Sequence, residues 1–414
     1  MQEAINSLSW EELSKFATNE SDIINGPNNS YSLLRLFNNP KESVRVTLFR
    51  DNHAWCPYCQ KVWLWLESKK IPYEIKKVTM RCYGDKEKWY LKKVPSGILP
   101  AIELDQNLIT ESDEILLALE AAFGQRGMPL KSSKIIYLRN LERKIFRAWC
   151  TWLCNPSINN FHEGRKEAQF RQCLKEMDKY LSTTKTPWLD PSFQEMNANL
   201  PGGIDIIFIP YLERMNASLA YYKGIQIRND FEEIDKWFQA FEQLEIYRGT
   251  QGDFHTHAHD LPPQMGGCWK NKTTMQKTIS EKIDIGEGLD KQEIFLKAIN
   301  NEHYKSIALS RVLKHRQQII KVNPMKDSLF DQPLRASLTT MITGQICRPS
   351  NGSASSLRYL RDRISVPRDM PLLSARELRK ALEITASLDG TSQSTPIPFS
   401  HRFDQSPIPF SKNP

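Results

Sequence analysis

The chain has 414 residues, 40% of them apolar, with 56 Lys and Arg against 48 Asp and Glu for a net charge of +8, and eight Cys. That apolar share supports packed cores in two or three domains and excludes wholesale disorder; no apolar run reaches the roughly 18 residues of a membrane span. The positive charge is spread without a basic block, so neither nucleic acid nor membrane is an expected partner.

Eight cysteines without regular spacing suit a reducing compartment and a few functional thiols, not a disulfide scaffold. The acidic start (Glu3, Glu11, Glu12, Glu20 and Asp22 against Lys15) does not read as a transit peptide. The expected location is the cytoplasm, or a plastid if the sequence in hand lacks its beginning.

Residues 1–43 read as a lead-in. Ser9-Trp10-Glu11-Glu12 has the form of a capping box for a short helix through Phe16, and an Asn, Ser and Gly-rich stretch follows. The lead-in is either mobile or an arm packed on the main domain through Trp10, Leu34, Leu36 and Phe37. From Val44 the pattern runs strand (44–50), helix (57–69), strand (73–79), polar helix (85–92), strand (99–104), strand (107–110) and helix (112–123). A βαβ unit followed by a ββα unit is the thioredoxin-like pattern, one mixed sheet with helices on both faces. A proline at the head of a strand, as in Leu99-Pro100, fits an edge position or a bend.

Residues 131–250 are helical in pattern, with Ile135, Leu138, Leu141, Ile145, Ala148, Trp149 and Trp152 at three- and four-residue steps. Further helices are expected at about 165–182, 204–222 and 231–247. Residues 250–290 show little periodicity, and helices follow at about 291–322, 328–343, 354–362 and 374–387, the last with a capping box from Ser374 to Glu377. The tail from Gly390 repeats Pro-Ile-Pro-Phe-Ser, a composition that builds no core. The expected map is therefore an α/β thioredoxin-like domain over 44–125, an all-α domain over 131–250, a mostly helical extension over 251–389 and a disordered tail over 390–414.

The chemistry is concentrated in Trp55-Cys56-Pro57-Tyr58-Cys59-Gln60, where the first strand hands over to a helix. A thiol there lies near helix amides whose partial positive charge favours a thiolate. A zinc site needs further ligands, usually a second close pair. Cys82 stands alone in sequence, and Cys150 and Cys154 belong to another domain, so no metal is expected. Cys56 is expected to be the exposed nucleophile and Cys59, one turn inside, the resolving thiol. His255, His257 and His259 would share one face of a strand and so raise a metal hypothesis; the simpler reading is a polar loop packed on the core.

Cys56-Pro57-Tyr58-Cys59 on this pattern resembles glutaredoxin. The segments Leu99-Pro100-Ala101-Ile102 and Thr110-Glu111-Ser112-Asp113-Glu114-Ile115-Leu116, with an all-helical second domain, resemble the glutathione S-transferase superfamily. The likeness covers about residues 44–250. It implies glutathione as co-substrate, Pro100 as a cis-proline, Leu99 pairing through its backbone with the cysteinyl unit, and Glu111 and Ser112 holding the γ-glutamyl end.

A cap and an Asp at the start of the buried helix of the second domain also belong to that family's pattern; here Asp205 is in place, but Gly202 stands where Ser or Thr is usual. A cysteine in place of Ser or Tyr points to thiol transfer and not conjugation to electrophiles, as in the cysteine-type transferases of plants. Phe146 to Cys150, Glu213 to Ser218 and His255 to Cys268 resemble a plant or algal subgroup with a C-terminal extension. The implied activity is a glutathione-dependent thiol transferase or reductase acting on glutathionylated substrates, disulfides or dehydroascorbate-type compounds. Conjugation, or a non-enzymatic interaction module on the same fold, is the alternative.

Overall fold

The computed structural model describes residues 6–18, 22–194, 200–289 and 301–410. A five-stranded sheet lies at the N-terminal side: β1 (Leu34–Arg35), β2 (Val46–Asp51), β3 (Tyr73–Val78), β4 (Ala101–Leu104) and β5 (Asn107–Thr110), in the order β1-β3-β2-β4-β5. β2 and β3 are parallel and the other neighbours antiparallel. Three helices belong with it, α2 (Pro57–Ser68), α3 (Lys88–Lys93) and α4 (Ser112–Phe123), numbered after α1 (Trp10–Ser14). The expected mixed sheet with helices is thus present. β4 is an interior strand and Pro100 precedes it, so the proline marks a bend, with Leu99-Pro100 in the cis form.

β1 was not expected as a strand. It is fastened by Arg35, whose guanidinium donates Nε and Nη2 to the Glu67 carboxylate at 2.9 and 3.1 Å, with both residues buried. The Tyr73 hydroxyl donates to the same carboxylate at 2.8 Å. The lead-in divides its packing. Leu34 and Arg35 join the sheet, whereas Leu13 is buried in the core of the C-terminal helices and Trp10 Nε1 donates to Asp331 at 2.8 Å. The Ser9 capping box forms as expected.

The second region holds α5 (Ser133–Cys154), α6 (Asn160–Ser182), α7 (Gly203–Lys223), α8 (Ile227–Asp230), α9 (Glu232–Glu242) and α10 (Glu245–Arg248). α7 is buried on all sides and is the axis of the main hydrophobic core, which runs from the sheet to Leu289. Its start explains the departure at Gly202. A Cβ there would lie 2.2 Å from the Cβ of Asp190, so the space that a Ser or Thr cap would fill is already occupied. Asp205 supplies the missing cap, accepting from the amides of Gly202 (3.0 Å), Leu189 (2.7 Å) and Asp190 (3.2 Å) and from the Trp237 indole (2.8 Å).

Residues 250–290 contain two helices, α11 (Phe254–Met265) and α12 (Thr274–Asp284), where no periodicity was evident. The three histidines therefore lie on a helix, not on a strand or in a loop. Their carboxylate partners are separate: His257 Nε2 meets Glu213 at 2.6 Å, His259 Nε2 meets Asp284 at 2.7 Å, and His255 Nε2 lies 3.9 Å from Asp362. They do not gather around one point as metal ligands would.

The extension continues with α13 (Asn301–Val322), α14 (Asp327–Thr343), α15 (Ala354–Arg363) and α16 (Leu372–Ser387), which build a second core with Leu13. The expected start of the first of these, at 291, lies outside the described residues. The capping box expected at Ser374 does not form, because α16 begins earlier, after Pro371, and Ser374 is inside it. The tail, expected to be disordered, lies against the other regions as far as 410. Arg402 is buried on Asp260 at 2.6 Å, Arg363 donates to Asp404 at 3.0 Å, and the Gln405 carbonyl meets His53 Nε2 at 2.9 Å. A Pro and Ser-rich segment builds no core of its own, but these single polar side chains anchor it to surfaces built elsewhere.

His53, His255 and His257 are held below the ordinary imidazole range by burial first, then by nearby charges that include Arg368, His259 and Arg214 respectively. Unfolded, each takes up a proton at about pH 6.5; folded, each does so only at a lower pH. Their contribution to stability is full above that pH and is lost as pH falls from there toward the depressed folded values. Asp205, pushed up to about 7 by burial, has the opposite sign, since the unfolded carboxyl ionises from about pH 3.9 upward. Buried Lys77, lowered to about 7, adds stability loss of the same sign as the imidazoles as pH falls, so four groups against one predict that the urea midpoint falls between pH 7.5 and pH 5.5. A midpoint that holds or rises over that interval contradicts the burial of the three imidazoles.

Candidate active site

The register of the sheet brings the candidate residues to one end. Phe49 pairs with Ala101 and Ala101 with Thr110. The loop after β2, the bend before β4 and the turn after β5 therefore open on the same side. These carry Cys56, Leu99-Pro100 and Glu111-Ser112, so the topology assembles all the residues singled out from the sequence.

Cys56, expected to be exposed, is buried at 6% exposure as the N-cap of α2, because Asp51 and Arg214 draw its loop inward; Pro57 occupies the first helical position, where a missing N–H costs nothing. The Cys56 side chain makes no capping bond, which leaves it and the first-turn amides available to one another. Asp51, at the end of β2, holds the loop from below: its Oδ2 accepts from the amides of Trp55 (2.6 Å) and Cys56 (3.2 Å). Cys59 is buried, and burial drives its thiol well above the usual range, with the hydrogen bond to Cys56 and the charges of Cys56 and Asp51 adding to the effect. Cys59 therefore keeps its proton and shares it with the Cys56 sulfur.

The loop is held from above by α7. Arg214, 2% exposed, donates Nε to the Trp55 carbonyl at 3.2 Å and also reaches that oxygen through Nη2. Its Nη1 donates to Gln60 Oε1 at 2.8 Å and to the Pro210 carbonyl at 2.6 Å. Gln60 in turn donates to Glu213 at 3.2 Å, and Glu213 accepts from Tyr247 at 2.8 Å, from the Gly252 amide at 2.8 Å and from His257. A continuous buried network thus joins the Cys56 loop to α7 and to α11 of the extension.

Lys86 and Tyr90 complete the surroundings on the side of the sheet domain. Both lie within electrostatic reach of the two cysteines, and the Tyr90 hydroxyl donates to the Ile98 carbonyl at 2.5 Å, fixing the segment that leads into Leu99-Pro100. Tyr58 stands at the mouth with its ring 5.6 Å from that of Tyr211, over which the Arg143 guanidinium lies at 4.9 Å. Trp149 and Trp152 are core residues, donating their indole N–H groups to Ser218 and Glu163. Tyr221 is likewise buried, bonded to Asp284.

Glu111 sits at φ 64°, ψ 114°, a backbone region that side chains other than glycine rarely adopt, and such strain collects at functional sites. Its side chain does not cap α4, so the first amides of that helix face the same opening as Cys56 without a side-chain partner from the cap. α2 and α4 are tied together by the buried Lys61, whose Nζ reaches Asp113 at 2.5 Å, and Arg139 joins the same carboxylate. Burial opposes ionisation of Asp113, but Lys61 and Arg139 together hold its carboxyl below the usual range.

The sequence pointed to Cys56, Cys59, Leu99, Pro100, Glu111 and Ser112 and missed Asp51, Lys86, Tyr90 and Arg214. Asp51 ends a strand five residues before Cys56, a readable hint; Lys86, Tyr90 and Arg214 have no spacing signal.

Comparison with known proteins agrees with the geometry. The family model for the glutathione S-transferase N-terminal domain matches residues 55–122. Glutathione S-transferase DHAR2 of Arabidopsis thaliana is 24% identical over 196 residues, 47% of this chain and 84% of that protein. A probable glutathione S-transferase DHAR2, chloroplastic, of Oryza sativa subsp. japonica is 24% identical over 200 residues, 48% of this chain and 66% of its own length. The crystal structure of Chlamydomonas reinhardtii dehydroascorbate reductase is 21% identical, with a TM-score of 0.40 over 50% of this chain and 93% of that one. Residues 55–122, which carry Cys56 and Cys59, thus match a glutathione S-transferase N-terminal domain, and the similarity to cysteine-type relatives extends over about half of the chain.

Proposed function

We propose that the chain is a glutathione-dependent thiol transferase in which Cys56 passes through a mixed disulfide with glutathione. The observation that carries this reading is the meeting of three things at one sheet end: Cys56 at the start of α2, the cis Leu99-Pro100 bend, and the uncapped N-terminus of α4 at Glu111-Ser112. Glutathione is an extended anionic tripeptide with one ammonium group. The backbone of Leu99 offers its cysteinyl unit a strand-like partner, and the amides at Ser112 suit its γ-glutamyl carboxylate. Glu111, exposed beside them, suits the ammonium.

In the first step the Cys56 thiolate attacks the glutathionyl sulfur of a mixed disulfide, forming Cys56–S–S–glutathione and releasing the substrate thiolate. In the second, the thiolate of a further glutathione attacks that adduct, giving glutathione disulfide and restoring Cys56. The buried Cys59 proton, the α2 amides and the Lys86 and Arg214 cations lie around the sulfur that must act as nucleophile and leaving group in turn. A cysteine with this environment favours exchange over conjugation, because it can itself carry the glutathionyl group. The second substrate would enter beside Tyr58 and Arg143, which keep part of their surface exposed, with the buried Tyr211 ring behind them. Glutathionylated thiols, small disulfides and dehydroascorbate-type compounds are the substrate classes.

Activity against a glutathionylated peptide tests the nucleophile. Cys56→Ser is expected to lose the reaction by orders of magnitude. Cys59→Ser is expected to keep most of it and to lose mainly reactions that need an intramolecular disulfide. An active Cys56→Ser enzyme contradicts the assignment.

The glutathione-binding residues have their own test in the dependence of rate on glutathione concentration. Ser112→Ala removes a hydroxyl and Glu111→Gln the charge that faces the ammonium, each worth about 1 kcal/mol, so each should raise KM for glutathione roughly five-fold with a smaller change in kcat. Unchanged KM values in both variants would place glutathione elsewhere.

A further inference from the structure

One ligand atom each from Asp51, Cys56 and Cys59 lie within 4.8 Å of one another, and all three residues are buried. Asp51 commits Oδ2 to the amides of Trp55 and Cys56, but Oδ1 has no hydrogen-bond partner, although the residue is 0% exposed. An unpaired carboxylate oxygen away from water is costly. The Asp51 carboxylate belongs to a cluster whose other members are two sulfurs, the combination that a soft divalent cation satisfies.

We propose that Asp51, Cys56 and Cys59 form a binding site for one thiophilic divalent cation of the zinc class, and that its occupancy silences Cys56. Two thiolates and a carboxylate make a three-ligand set with a fourth tetrahedral position open, and sulfur donors select zinc over magnesium or calcium. Bonds of about 2.0–2.3 Å to a tetrahedral ion bring its ligand atoms to roughly 3.5 Å from each other. Rotations of the two cysteine side chains by about an ångström close the set from its present spacing.

Binding releases the thiol protons and needs no oxidant or reductant. The filled site carries one net negative charge, two thiolates and a carboxylate against a dication. Arg50, Lys86 and Arg214 already stand within electrostatic reach of this cluster to balance it. Both sulfur lone pairs of the exchange chemistry are then engaged. The silencing rests on the thiol-transfer reading; the binding does not, because it is measured without turnover.

The test is a Zn2+ titration of the reduced, chelator-washed full-length chain against a chromophoric chelator, with iodoacetamide labelling of Cys56 and Cys59 read in parallel by peptide mass. The site predicts one equivalent bound and labelling of Cys56 slowed at least about ten-fold. Asp51→Asn and Cys59→Ser should each weaken Zn2+ binding at least about ten-fold. Cys154→Ser and Cys268→Ser, which remove a second pair of hydrogen-bonded thiols, should leave it unchanged. Binding that survives Asp51→Asn or Cys59→Ser, that follows Cys154 or Cys268 instead, or that is absent, overturns the proposal. Loss of thiol transfer in Cys56→Ser with intact Zn2+ protection in the parent chain would support both readings; intact protection without any transfer activity would overturn only the catalytic one.

Discussion

The structure turns on the clamping of a five-residue loop between two buried charges. Asp51 holds the amides of Trp55 and Cys56 from the strand side, and Arg214 holds the carbonyl of Trp55 from the helix side. Each opposes one half of the same peptide region, so the backbone that delivers Cys56 to the start of α2 has little freedom to rotate. A nucleophile on a loop needs this support, because small displacements of a reacting atom cost rate steeply. Removing either side chain would also leave the other's partners buried without compensation, the situation in which buried polar groups cost most.

Around that clamp the sheet, the helical region and the start of the extension share one apolar core, and buried polar side chains add specific links between them. Gln60, Glu213, His257 and Tyr247 link α2 to the helical region and to α11. Arg379, 0% exposed, meets Asp253 ahead of α11 and also donates to the Ile364 carbonyl at 2.5 Å, while Arg402 of the tail meets Asp260 within it. Buried pairs of this kind add little net stability compared with apolar packing, but they penalise wrong registers strongly. α11 is thus the element on which the extension is docked, and its buried histidines serve that docking.

Much of this was legible before any coordinates. The alternation in β2, the Cys-Pro step and the helical periods of α5 and α7 are local signals, and local signals survive folding. β1 was not legible because two residues give no period; it exists through Arg35 and Glu67, a pairing between distant positions. α11 was missed because Pro262, Pro263 and its buried polar residues break the apolar repeat on which a helix is recognised. The site divides in the same way. Cys56, Cys59, Pro100, Glu111 and Ser112 stand in short motifs, whereas Lys86, Tyr90 and Arg214 come within electrostatic reach of the cysteines from other parts of the chain, and only the tertiary structure brings them there.

The central claim, that Cys56 carries the glutathionyl group, is tested most directly by trapping it. Reduced Cys59→Ser protein exposed to glutathione disulfide and quenched in acid should gain a single glutathionyl adduct, and peptide mass mapping should place it on Cys56. An adduct found instead on Cys82, Cys150 or Cys268, or no adduct under conditions that modify an exposed thiol, would contradict the account.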